Sequence, residues 1–184
     1  MRACRPNLLP AGAGAVFSLP EGMEPNPQNT PEPSVKPSPD LDAEGAVRTQ
    51  LESLKDPHEP FTNHGIMVMY EFCEGAGAME RSRYFGYSKD LYHFDHFLGM
   101  FQNGEVGKLC GLASYDIKTV AAAGAEGLPA PPPGSEAVVE VEARADDDAP
   151  LGRYHFVMVR RGYGKYKDCL MAGALLPVKD GPRS

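Results

Sequence analysis

Apolar side chains recur at helical spacing in three segments of the first 104 residues. Residues 42–55 place four apolar side chains on one helical face, and Asp42 is available as the N-cap. Residues 63–75 are apolar around most of the circumference of a helix, with Asn63 available as a cap, which predicts a short buried helix. Residues 91–101 carry the stripe of an amphipathic helix.

Beyond Gly104 the apolar period changes from that of a helix to that of a strand. We predict four strands, at 106–122, 136–146, 153–162 and 167–178, with a tight hairpin turn in the string RGYGK. Helices followed by an antiparallel meander indicate an α+β fold, in which the helices cover one face of a curved four-stranded sheet.

Residues 1–40 differ in composition from the rest of the chain, because they hold nine of its 18 prolines. This predicts a disordered N-terminal tail, followed by a single domain over residues 41–180 with a low-complexity loop at 121–134. Arg2 and Arg5 precede the first acidic residue, Glu21, a composition found in organellar transit peptides. No stretch of the sequence is apolar for the length of a membrane-spanning helix.

The net charge of -7 argues against a nucleic-acid binder that depends on neutralising phosphates. The charge is uneven: residues 1–150 hold 11 Lys/Arg and 23 Asp/Glu, whereas residues 151–184 hold 7 and 2. Two interpretations of the basic C-terminal part are open. It either meets an anionic partner or forms ordinary solvated strand edges.

Two strings prompt a family resemblance: VRTQLESLKDPHEPFTNHGIMVMYEFCEGAG at 47–77 and RSRYFGYSKDLYHFDHFLGMF at 81–101. They resemble a family of unknown function from plants and green algae whose members are usually targeted to plastids. That family is similar to the nuclear-transport-factor-2-like superfamily, whose cone-shaped α+β fold also serves ketosteroid isomerases and scytalone dehydratase. The resemblance covers about residues 42–178. It implies a chloroplast protein, with the cytoplasm as the alternative, and carries over no catalytic residue.

A cone-shaped fold implies a pocket at its wide end, between the helices and the bent sheet. Its walls are expected from large side chains of the predicted helices and strands: Tyr70, Phe94, Phe97, Tyr154, Phe156, Met158 and Met171. The alternative is that the same side chains are simply core, since aromatic stripes at regular spacing are usually packing.

The segment 81–89 concentrates cations and aromatic rings and is a second candidate for partner binding. Arginine side chains interleaved with rings are suited to stacking and to gripping anionic groups. The alternative is that the rings fill the cone while the cations stay in water. The residues that carry this hypothesis are Arg81, Arg83, Tyr84 and Phe85.

Catalysis of the isomerase or dehydratase kind needs a general base near a proton donor in a dry site. The candidates are Asp95 or Asp116 as base, with Tyr70, Tyr84 or Tyr154 as donor. Asp95 is predicted on the polar side of its helix, and Asp116 is compatible with an outward strand position.

Metal-ligating patterns are sparse. His93 and His96 have HxxH spacing and could share a metal ion with Cys110 or a carboxylate, but a solvated helix face explains them as well. We expect no metal and no cofactor. The cysteines contain no CxxC pair, which favours free thiols at Cys4, Cys73, Cys110 and Cys169.

Two functions follow from these observations. The first is a non-catalytic binding or assembly protein of the plastid, which uses the open sheet face or the 81–89 loop to bind another protein or a second copy of itself. The alternative is a small-molecule binder or a lyase/isomerase-type enzyme that uses the cone pocket. The first is favoured because polar groups suited to chemistry are sparse among the predicted inward positions.

Overall fold

The computed structural model describes residues 32–75, 91–126, 128, 130, 131 and 133–178. In these residues, helices precede a four-stranded antiparallel sheet whose strand order follows the chain. The elements are α1 (Ala43–Lys55), α2 (His64–Glu71), α3 (Leu91–Asn103), a 3-10 helix (Glu105–Leu109), β1 (Ser114–Ala122), β2 (Ser135–Arg144), β3 (Pro150–Arg160) and β4 (Leu170–Pro177). The predicted α+β class is confirmed.

Helix α1 begins where its cap predicts. The side chain of Asp42 accepts a hydrogen bond of 2.7 Å from the Gly45 amide, and Glu44 lies in the first turn near the positive end of the helix dipole. The apolar stripe of the helix, which includes Leu51 and Leu54, is fully buried. Capping and periodicity therefore agree on the bounds of α1.

Helix α2 lies unusually close to the end of α1. The Gly65 amide donates to the Pro57 carbonyl at 3.0 Å, so that two backbone segments touch without an intervening side chain. Asn63 occupies the predicted cap position in the left-handed region, with φ of 64°, but its side chain makes no capping hydrogen bond. The close approach of the backbones, and not the expected cap, positions α2.

The sheet presents alternate side chains to its two faces. Val139 and Val141 of β2 lie opposite Phe156 and Tyr154 of β3, and all four belong to the main core together with α1 and α2. Glu142, the residue after Val141, lies on the face turned away from this core. The helices therefore cover one face of the sheet, as the order of the elements predicts.

Two local predictions are wrong. Residues 105–109 form a 3-10 helix, and β1 begins only at Ser114. Gly107 is needed there, because a Cβ atom at this position would lie 2.0 Å from the Phe101 carbonyl oxygen. The string RGYGK is part of a longer connection, closed at its base by hydrogen bonds from the Arg161 amide to Cys169 O and from the Asp168 amide to Arg161 O.

Part of the predicted N-terminal tail packs against the domain. Pro33 and Pro37 are buried, and the Ser34 amide donates to His64 Nε2 at 3.1 Å. The ring of Phe61 meets the ring of His64 edge-on at 5.0 Å between centroids. The segment from residue 32 onward therefore contributes to the packing around the start of α2. None of the helices described is long and apolar enough to cross a membrane.

Candidate functional site

The strand residues predicted to line a pocket are packed in the interior. Phe156, Met158 and Met171 have no exposed area, and Tyr154 is 1% exposed. Tyr154, Phe156 and Met158 belong to the main core, whereas Met171 forms a smaller cluster with Tyr166 and Cys169. These side chains therefore act as core, the alternative that regular spacing also predicts.

The helix residues of the predicted pocket come together between α2 and α3. The ring of Tyr70 meets those of Phe94 and Phe97 at centroid distances of 5.4 and 5.3 Å, both in edge-on geometry. The three rings are half-buried. Edge-on ring pairs stabilise a contact beyond the area they bury, so this cluster joins α3 to α2.

Arg81, Arg83, Tyr84 and Phe85, the residues of the cationic and aromatic hypothesis, lie outside the described residues. The same holds for Cys4 and for the side chain of His93. The three cysteines that the structure describes, Cys73, Cys110 and Cys169, are not joined by disulfide bonds, and burial raises the pKa of the Cys169 thiol. In the described parts of the chain, no group of three or more His, Cys, Asp or Glu residues is arranged to hold a metal ion.

The acid–base candidates lie in different environments. Asp116 is exposed and pairs with Lys118 at 3.2 Å and with Arg144 at 3.3 Å. The hydroxyl of Tyr154, on the opposite face of the sheet, donates towards the carbonyls of Glu105 at 3.2 Å and Leu151 at 3.4 Å. Because its proton is directed at main-chain acceptors, Tyr154 holds the 3-10 helix against β3.

A carboxylate–tyrosine pair that the sequence analysis missed joins α1 to β1. The Tyr115 hydroxyl donates to Glu52 Oε1 at 2.6 Å, and Lys55 pairs with the same carboxylate at 2.9 Å. Burial and the hydrogen bond to Glu52 raise the pKa of Tyr115 to about 12, and the same hydrogen bond lowers the pKa of Glu52. Glu52 is exposed, so the pair lies at the surface and not in a dry site.

Among the residues that the structure describes, Tyr115 and Tyr154 are expected to titrate late in the folded protein. Burial raises the pKa of Tyr154 to about 12, and Tyr115 shares that value. The folded state keeps both phenolic protons above pH 10, the ordinary tyrosine pKa, while the unfolded chain loses them. Stability should therefore fall as the pH rises from about 10 to about 12.

Phenolate absorbance, followed together with circular dichroism, measures this titration. Tyr154→Phe and Tyr115→Phe should each remove one late-titrating group. A folded protein in which all the tyrosines ionise together near pH 10 would contradict the prediction.

An open groove, which we call the α3 groove, runs along α3 from Asp95 to Asn103. Its volume is about 850 Å³, and it lies between α3, the 3-10 helix and the end of β4. Its lining residues are Asp95, His96, Gly99, Met100, Asn103, Gly104, Glu105, Val106 and Pro177. Of these, the sequence analysis singled out Asp95 and His96 for chemistry. Met100 carried a signal that was overlooked, since it is a large apolar side chain off the apolar stripe of its helix.

The polar groups of the α3 groove differ in whether a partner compensates them. Glu105 pairs with Lys108, which lies outside the lining, and the Asn103 side-chain amide donates to the Gly99 carbonyl at 3.1 Å. Asp95 is exposed, and none of the ion pairs seen in the described residues uses it. The groove therefore combines an exposed apolar side chain with a carboxylate that no ion pair of the described residues neutralises.

Comparison with known protein families, with curated proteins and with solved structures found no match.

Proposed function

We propose that this protein is a non-catalytic binding protein that takes a segment of a partner protein into the α3 groove. The observation that carries the proposal is the exposure of Met100, 52% of whose surface faces solvent within the lining of the groove. Burying that side chain under a partner removes apolar area from water, which is the main favourable contribution at most protein interfaces.

Methionine is well suited to this use. Its unbranched and polarisable side chain adapts to partners of different shape, which is why methionine is common on surfaces that bind peptides. The open form of the groove favours a chain segment that lies along it.

The charge of the groove lining indicates which class of partner segment can bind. Asp95 and Glu105 contribute carboxylates to the lining, and the described residues of the lining include no Lys or Arg. Residues 1–150 as a whole carry 11 Lys/Arg against 23 Asp/Glu. A segment with a Lys or Arg close to an apolar residue complements Asp95 and Met100 together.

The face of the sheet turned away from the helices is a weaker candidate for partner binding. Its charges neutralise one another: Lys118 pairs with Glu142 at 3.1 Å, and Arg144 pairs with Asp116 and Glu142, each at 3.3 Å. A partner must break such pairs before it gains new ones, so this face offers little net electrostatic attraction.

A small organic molecule in the α3 groove is a second candidate ligand, favoured by the volume of about 850 Å³. Ligand pockets typically measure about 300 to 1,000 Å³. The sequence analysis gave a small-molecule binder as the alternative function, with its site in the cone pocket. In this candidate the small molecule binds in the α3 groove instead.

We also propose, from the sequence resemblance, that the chain is a divergent nuclear-transport-factor-2-like protein of the plastid. The arrangement of helices over a four-stranded antiparallel sheet supports this proposal at the level of fold class. Microscopy of the full chain fused to a fluorescent protein in a green algal or plant cell tests the location. Fluorescence spread through the cytoplasm would sink the plastid assignment and leave the groove proposal intact.

The groove proposal is tested by selecting peptides from a random phage-displayed library on the full chain. We expect enriched peptides to combine Lys or Arg with a nearby apolar residue, and their affinity to fall about tenfold or more for Met100→Lys. Val120→Lys is the matched control, because Val120 is 47% exposed but lies on β1, outside the groove. Asp95→Asn should weaken binding of the same peptides and reduce its dependence on salt.

Three outcomes would overturn the groove proposal. One is enrichment of peptides that bind Met100→Lys as well as the unaltered chain. Another is a dimer, seen by light scattering, that Met100→Lys dissociates, because the groove would then be a contact between copies. The third is a small-molecule library that yields a ligand for the groove, while the phage library yields no peptide that competes with this ligand.

A further inference from the structure

Arg161 carries a buried guanidinium group for which the described residues supply no ion-pair partner. The residue is 2% exposed, and its Nη2 donates to the main-chain carbonyl of Glu74 at 2.7 Å. Its Nε is buried and has no hydrogen-bond partner in the part of the chain that the structure describes. The ion pairs seen in the described residues use Arg48, Arg144, Arg153 and Arg160, and none of them includes Arg161.

A buried cation without a counter-charge is unfavourable, because the protein interior replaces only part of the hydration that the charge loses. The carbonyl of Glu74 offers a dipole but no full negative charge. Guanidinium groups present parallel N–H donors that match the two oxygens of a carboxylate or phosphate group. The unused Nε–H is one of these donors.

Tyr163 lies against this guanidinium. The Arg161 Cζ atom lies 5.4 Å from the centroid of the Tyr163 ring, and Tyr163 is itself 39% exposed. Glycines flank the tyrosine on both sides, and Gly164 has φ of 73°, a conformation that glycine adopts without strain. The Tyr163 hydroxyl donates to Glu74 Oε1 at 3.3 Å, which holds the ring in place.

We propose that Arg161 anchors a binding site for a small oxyanion, a phosphate or carboxylate group, which enters by displacing the Tyr163 ring. Arg161 supplies the charge and the free Nε–H, and the glycines on either side of Tyr163 allow the side chain to move. Arg161 and Tyr163 lie within residues 151–184, which carry 7 Lys/Arg against 2 Asp/Glu. Of the two interpretations of this basic part of the chain, the proposed site supports binding of an anionic partner.

The carboxylates of Glu71 and Glu74 lie near the proposed site and oppose the binding of an anion. Glu71 accepts from Tyr166 and pairs with Lys165 at 3.4 Å, so most of its charge is compensated. Glu74 accepts from the Tyr163 hydroxyl, and it competes with an incoming anion while it keeps Tyr163 closed. Glu74→Gln should therefore strengthen anion binding about threefold or more.

The chain contains no tryptophan, so Tyr163→Trp introduces a single indole at the proposed entrance. We expect inorganic phosphate, titrated into this full-length variant at constant ionic strength, to change the indole emission in a saturable way. Sodium chloride at the same ionic strength should have no such effect. Acetate, titrated in parallel, distinguishes the two ligand classes: a response to phosphate alone assigns a phosphate group, and a response to acetate assigns a carboxylate.

Arg161→Lys in the Tyr163→Trp background should weaken binding about tenfold, since lysine keeps the charge but loses the paired donors. Arg161→Met should abolish it, with folding checked by circular dichroism. Lys167→Met is the matched control, because it removes a cation from an exposed position in the same connection. Should Arg161→Met fail to fold, Arg161→Lys and Glu74→Gln decide the question.

The proposal is overturned if neither anion gives a saturable response. It is also overturned if Arg161→Lys binds as tightly as the parent, if Lys167→Met loses as much affinity as Arg161→Lys, or if Glu74→Gln leaves the affinity unchanged.

Discussion

Replacing Gly65 with alanine should reduce the free energy of unfolding by about 3 kcal/mol or more. A Cβ atom at this position would lie 2.1 Å from the Ser53 carbonyl oxygen and 2.9 Å from Pro57 Cα. Both are main-chain atoms, so no side-chain rotation relieves the overlap. The substitution must separate α2 from the end of α1, and the hydrogen bond from the Gly65 amide to Pro57 would be lost with it.

Chemical denaturation of the Gly65→Ala variant measures this effect, and Gly99→Ala is its control. A Cβ atom on Gly99 would meet no heavy atom within 4 Å, and Gly99 lies inside α3. Alanine there should stabilise the helix by about 0.5 to 1 kcal/mol. Equal effects of the two substitutions would show that α1 and α2 do not touch through their backbones.

Replacing Phe156 with alanine should cost about 3 to 5 kcal/mol of stability. Phe156 has no exposed area, lies opposite Val139 on β2 and belongs to the main core. Removing the ring leaves a cavity between the sheet and the helices, and the surrounding side chains lose both contacts and buried area.

The Phe156 substitution also tests whether this side chain is packed core or the wall of an open pocket. The wall of an open pocket already faces space, so its truncation would cost far less than the truncation of a packed side chain. Leu176→Ala is the control on the neighbouring strand, where 38% of the side chain is exposed, and it should cost less than about 1 kcal/mol. A loss below about 1 kcal/mol for Phe156→Ala would restore the interpretation of a cone pocket.

Local patterns predicted the helices and strands because their causes are local. Asp42 caps α1 through a bond to a residue three positions later, and Gly104 follows the last residue of α3. The alternation along β2 likewise predicts its core residues. The prediction of a first strand from residue 106 was wrong because Gly107 is required by a contact with the Phe101 carbonyl, which no periodicity encodes.

The candidate site was predicted less well. For the large apolar residues of β3 and β4, pocket wall and core were both open interpretations, because buried core and pocket lining share the same composition and spacing. Met100 was not predicted as a site residue, because a single apolar residue on a polar helix face is common at protein surfaces. Arg161 was not predicted either, because the charge of an arginine predicts exposure and not burial.

The sequence by itself determined the fold class, the bounds of α1 and the order of helices and strands, because capping, periodicity and turn residues act within a few positions. Only the tertiary structure decided which side chains are core, where the α3 groove lies and which arginine is buried. These properties depend on contacts between distant parts of the chain, such as Tyr154 with Glu105, 49 positions away, and Arg161 with Glu74, 87 positions away. Such pairs leave no periodic trace, since each is created when separate elements pack together.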